Sequence, residues 1–204
     1  MNRIKLIIAA AIVLVSLPAF AQKGPRGQLM AGAAKVDVTP SKDELAKNSY
    51  GILDHTHVRA IIFSNGSNKA GFVNVDGNMN QKVVDIVNER ALKELGIPVG
   101  NIIYNGTHCH STGTVRGDAL IEKTYKAIKD AYDSMVPAKV GYGSGVSYLN
   151  VKRDLFDPER GTWWEGPDYD GKSDKTVAVV YFETMEGKPL AVYYNYAMHA
   201  VITG

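Results

Sequence analysis

Val58-Arg59-Ala60-Ile61-Ile62-Phe63-Ser64 and Ala70-Gly71-Phe72-Val73-Asn74-Val75-Asp76 are two β-rich runs joined by Asn65-Gly66-Ser67-Asn68-Lys69. Two such runs separated by a Gly- and Asn-rich turn spell a β-hairpin. Beyond Asp76 the period changes. From Asn80 to Leu95 the apolar residues fall at Val83, Val84, Val87, Ala91, Leu92 and Leu95, the spacing of one helical face, closed by Gly96 and Pro98. Asn101 to Asn105 is then a short buried-strand candidate, and Asp118 to Met135 a second helix with Leu120, Ile121, Tyr125, Ile128 and Tyr132 on one face. Hairpin, helix, strand and helix in this order call for one sheet with helices packed against it.

Upstream, Ala33 to Val38 reads as a strand stopped by Thr39-Pro40. Downstream, Lys139 to Gly145 and Val177 to Glu183 read as strands. Met185-Glu186-Gly187-Lys188 turns the chain back into a last strand, Pro189 to Ala197. Asp154 to Lys175, rich in Asp, Gly, Pro and Trp, has no period and reads as a long loop, of the kind that is functional or poorly ordered. The fold class expected is α/β, a mixed β-sheet with packed helices.

The first residues read as an export signal. Arg3 and Lys5 precede the apolar run Leu6 to Leu17, followed by Ala19-Phe20-Ala21, a small-residue cleavage pattern. The run falls short of the ~20 apolar residues that span a bilayer. Residues 1–21 are therefore expected to be removed, leaving Gln22 as the mature N-terminus of a secreted or periplasmic protein, with 22–30 an extended lead-in. Of 23 basic residues, Arg3 and Lys5 would go with the signal, leaving 21 against 21 acidic ones. A neutral chain without a basic run has no electrostatic footprint for nucleic acid. The one cysteine, Cys109, excludes an intramolecular disulfide framework and any Cys-rich zinc site.

Five histidines occur, four of them in His-x-His pairs. His108-Cys109-His110 follows a predicted strand. In extended backbone, residues two apart point to one side, so both imidazoles can converge on a cavity, where Gly106 would relieve crowding. Such a pair can hold zinc or stand solvated at the surface. A lone histidine such as His199, at the end of the last strand, is more often a packed, hydrogen-bonded residue than a ligand, and Arg153 alone would pass as a surface charge. Cys109 should point away from the shared side of His108 and His110, as a small buried thiol.

Five segments in order resemble the neutral/alkaline non-lysosomal ceramidase family. They are Gly32 through Asp37-Val38-Thr39-Pro40; Gly51-Ile52 through Val58-Arg59-Ala60 with the strand pair Gly71 to Asp76; Gly106-Thr107-His108-Cys109-His110-Ser111; Asn150 to Arg153; and Asp174 through Gly187-Lys188-Pro189-Leu190 to Ala197-Met198-His199. The resemblance implies a zinc-dependent amide hydrolase that splits the N-acyl bond of ceramide or a related N-acyl lipid into a fatty acid and a sphingoid base. It implies Zn²⁺ held by His108 and His199, His110 as neighbouring general acid or oxyanion stabiliser, and Arg153 as a substrate or oxyanion contact. The partner implied is a ceramide-like lipid, with peripheral contact to a membrane surface. It further implies that residues 31–204 correspond to the N-terminal part of a larger catalytic domain, whose remaining zinc ligands, a Glu and a Tyr, lie beyond residue 204. On that expectation the chain alone binds zinc weakly and hydrolyses no amide, unless an acidic residue within it, Asp76 first, supplies a third ligand.

Two other readings compete. Asp54-His55-Thr56-His57 is similar to the metal-binding entry of amidohydrolase barrels, although these need about 250 residues and eight β/α units. An exported binding protein would instead use Trp163-Trp164 and the tyrosines, 11 in all, as a contact surface.

Overall fold

The computed structural model describes residues 27–45, 47 and 49–199. The predicted export segment and the lead-in up to residue 26 lie outside the described residues. Nine strands and two helices follow in the order β1 (Met30–Asp37), β2 (His57–Ser64), β3 (Lys69–Val75), α1 (Gln81–Arg90), β4 (Ile102–Gly106), α2 (Asp118–Asp133), β5 (Val136–Val146), β6 (Lys152–Asp157), β7 (Thr162–Asp168), β8 (Thr176–Thr184) and β9 (Pro189–Tyr196). Seven strands make one mixed sheet in the order β4-β3-β2-β1-β5-β8-β9, and β6 and β7 make a separate antiparallel ribbon.

The expected hairpin is β2–β3, with Ser64 opposite Lys69, and β4 joins β3 in parallel after the α1 crossover. Asn80 caps α1, its side chain accepting the Val83 N–H at 3.0 Å. The helix runs on through a π-turn, Ala91–Leu95, and stops at Gly96, whose φ of 63° is the left-handed close that its glycine permits. Both helices cover one face of the sheet. Val83, Val87, Ala91 and Leu95 from the first, and Leu120, Ile121, Ala127, Ile128 and Ala131 from the second, bury against Val58, Ala60, Ile62, Val73 and Val75. Alternation along β2 and β3 delivers those valines and isoleucines to the helical side.

The opposite face is covered by the sheet itself. β1 pairs with β5 at only two positions, Met30 with Pro137 and Ala31 with Val136. Beyond them β5 leaves β1 and carries β8 and β9 back over the far face of β2 and β3. Phe182 packs there with Phe63, and Tyr193 stacks on Phe72 with ring centroids 4.2 Å apart. Asn105 of β4 donates to the Tyr193 hydroxyl of β9 at 2.8 Å, so strands at opposite ends of the sheet order meet. The C-terminal ends of β4 and β9 thereby arrive at one corner.

The reading of 154–175 as a structureless loop is corrected. Most of it forms the β6–β7 ribbon, in which Leu155 faces Trp164 and Phe156 faces Trp163. Asp157 accepts the N–H groups of Glu159 and Arg160 at 2.9 and 3.1 Å, a side-chain-closed turn that reverses the chain. No helix among the described residues is long and apolar enough to cross a membrane.

Candidate metal centre

β4 ends at Gly106, and the next residues do not stay extended. His108 has φ of 50°, the only non-glycine residue with positive φ among those described. The left-handed region costs an L-residue roughly 1–2 kcal/mol, so the surrounding bonds must hold it there. Thr107 N–H donates to Val75 O and His108 N–H to Gly77 O, both at 3.0 Å, while the Thr107 hydroxyl accepts Gly77 N–H at 2.9 Å. The expected strand-like geometry of His108 and His110 is thus overturned: a left-handed turn presents the two rings. Gly106 also has another task than the one expected. A Cβ there would lie 2.4 Å from Gly77 O, so its glycine lets the end of β4 press onto the turn that follows β3.

His199 follows β9 into the same corner. Ring centroids stand 5.3 Å apart for His108 and His110, 5.0 Å for His108 and His199, and 4.8 Å for His110 and His199. One nitrogen from each ring lies within 4.8 Å of the others, and all three residues are exposed. Tetrahedral zinc at 2.0–2.1 Å from its ligands sets them roughly 3.4 Å apart. Rotation of the exposed rings would close that difference, so the three imidazoles suit a metal ion such as zinc. Cys109 stands outside this group, half-buried, its thiol 3.3 Å from the Ser111 hydroxyl.

Asp76, expected as the first acidic candidate for a third ligand, is engaged elsewhere. One of its oxygens accepts the His57 N–H at 2.9 Å and Arg59 Nη1 at 2.7 Å, and it is absent from the converging group. The barrel reading fails as well, since the sheet is an open seven-stranded one. His55 Nδ1 bonds Asp37 at 2.5 Å, while His57 Nδ1 is enclosed without a hydrogen-bond partner among the described residues. Hydrogen bonds from Thr39, and then from His55, hold the Asp37 carboxyl far below the usual carboxylate range. The pair joins the last residue of β1 to the approach to β2.

A groove of about 460 Å³ opens beside the histidines, lined by Arg153, Asp154, Trp163, Trp164, Glu165 and His199. Arg153 on β6 forms an ion pair with Glu165 on β7. His199 therefore belongs both to the imidazole cluster and to the groove that Arg153 borders. Asp154 and Glu165 were not foreseen, because inside a presumed loop nothing marks them apart from the other acids. The strand pairing alone brings them to the groove. Trp163 and Trp164, half or more exposed, line it from consecutive positions of β7.

No family model matches the chain. It is 28% identical to neutral ceramidase B of Dictyostelium discoideum, over 82% of this chain and 28% of that protein. Two solved structures share its fold at 20% identity and a TM-score of 0.65. One is a ceramidase complexed with C2, the other the neutral ceramidase of Pseudomonas aeruginosa, and each match covers 84% of this chain. The chain spans under a third of the length of each of these relatives. Sequence and fold together support the neutral ceramidase family for this chain, over a partial region of that family's length.

Proposed function

We propose that the corner formed by β4 and β9 is part of a zinc-dependent amide hydrolase site that cleaves the N-acyl bond of ceramide or a related N-acyl lipid. The observation that carries this is the approach of His108, His110 and His199 to within 4.8 Å, with His199 also lining a groove that Arg153 borders. In this reading His108 and His199 hold the ion. Zinc bound there would supply Lewis acidity toward the amide carbonyl and its attacking water. His110 delivers a proton to the leaving amine nitrogen as the C–N bond breaks, and Arg153 steadies the carbonyl oxygen as it gains charge. Trp163 and Trp164, at consecutive positions of β7, bring apolar surface to the groove for the hydrocarbon. An extracytoplasmic setting goes with this reading, and N-terminal sequencing of the exported protein should begin at Gln22.

The near-equal spacing of the three rings favours a second assignment, in which His110 is itself a ligand. Metal analysis separates the two. His108→Ala and His199→Ala should each lower zinc affinity strongly, to a residual binding by the imidazoles that remain. His110→Ala should keep zinc and, in a form extended to the relatives' length, slow fatty-acid release from ceramide by about 10²–10⁴-fold. Zinc lost from His110→Ala makes it the third ligand; zinc kept at wild-type affinity by His108→Ala removes the metal reading altogether.

A further inference from the structure

Asn150 opens the segment that leads into β6, and the residue is 8% exposed. Its Nδ2 donates to Asp174 O and to Ala197 O, both at 2.6 Å. Its Oδ1 accepts from Lys175 Nζ at 2.9 Å and from the Ser173 hydroxyl at 3.4 Å. The backbone is tied in as well: Asn150 N–H donates to the Tyr196 hydroxyl at 2.9 Å, and Asn150 O accepts Lys175 Nζ at 2.7 Å. A carboxamide offers two donors and one acceptor oxygen, and all are used here.

Three segments meet at this one residue: the run from β5 into β6, the run from β7 into β8, and the exit of β9. Ala197, whose carbonyl Asn150 holds, stands two residues before His199. Arg153 stands three residues after Asn150. The ring and the guanidinium that border one groove are thus both referred to the same buried amide.

We propose that Asn150 is a positioning residue that fixes His199 relative to Arg153 by pinning the Ala197 carbonyl. This rests on the reading of His199 as a zinc ligand. Groups that orient a ligand from behind are worth about 10–100-fold in metal affinity. A residue that acts through one ring should lose its effect once that ring is gone.

The test is a double-mutant cycle on zinc affinity, read by chelator competition in the wild-type chain, His199→Ala, Asn150→Ala and the double variant. Asn150→Ala should weaken zinc about 10–100-fold in the wild-type background and by nothing further in the His199→Ala background. An equal loss in both backgrounds, or no loss in either, overturns the proposal. The metal reading fails by a different sign: His199→Ala binds zinc like the wild type. Far-UV circular dichroism checks that each variant is folded. If Asn150→Ala does not fold, Lys175→Met removes the ammonium that locks the carboxamide while leaving the amide in place. It should show a smaller loss of zinc affinity with the same dependence on His199, and a loss independent of His199 overturns the proposal in the same way.

Discussion

Gly106 and Gly77 face each other beneath His108, and the left-handed turn depends on that closeness. Gly106→Ala would place a methyl carbon 2.4 Å from Gly77 O, which must then move. Forced insertions into packed backbone cost about 1–3 kcal/mol. The variant should show a lower Tm and weaker zinc binding together, because the displaced carbonyl is the acceptor of His108 N–H. A lowered Tm with unchanged zinc affinity would show that the turn tolerates the shift. Asp37 provides a second prediction at this scale. Its folded-state carboxyl is depressed by Thr39 and His55, so it contributes stability above the ordinary carboxylate pKa. That stability is lost as pH falls through the depressed folded value, beginning at about pH 5 and below. Asp37→Asn should therefore flatten the acid limb of a plot of Tm against pH; an unchanged limb would assign the acid sensitivity to other carboxylates.

At the scale of elements, α2 lies so close to β1 that a Cβ on Gly32 would stand 2.1 Å from Ala131 O. Gly32→Ala should lift the helix from the sheet and destabilise the chain by about 1–3 kcal/mol, measured by urea unfolding. A midpoint within error of the wild type would mean that the helix slides without loss. Periodicity made α1 and α2 legible in the sequence, and turn chemistry did the same for β2–β3 and β8–β9, because those signals are local. The β6–β7 ribbon was not legible. Its register slips between Lys152 and Asp154, which breaks the alternation that marks a strand, and its aromatic residues face outward rather than a core. Composition then reads as loop. The histidines divide in the same way. That His108 and His110 lie together in one short stretch was readable, but the left-handed backbone at His108 was not, because it is imposed by bonds to Val75 and Gly77. The meeting of His199 with them depends on long-range topology, which no local pattern encodes; only the resemblance in ordered motifs joined His108 and His199.

For the molecule as a whole, the decisive feature is the fold of the sheet back over its own far face. Two pairs of residues join β1 to β5, so the ladder alone leaves the β5-β8-β9 portion free to hinge. Side chains close the hinge: Phe63, Phe72 and Phe182 fill the space between the layers, and Tyr193 stacks on Phe72 while accepting from Asn105. The distance between the ends of β4 and β9, and so between His108 and His199, is then set by this clasp at one level and by Asn150 at another. Graded changes at Tyr193 separate them. Tyr193→Phe keeps the stack and loses one hydrogen bond, about 1 kcal/mol, and should leave zinc affinity close to that of the wild type. Tyr193→Ala removes the stack as well, and hydrogen exchange should then quicken in β9 while the β1–β3 amides keep their protection. If the clasp sets the corner, zinc affinity falls in step with that loosening. Should β9 loosen with zinc affinity unchanged, the buried amide at Asn150 alone would be enough to hold His199 in place.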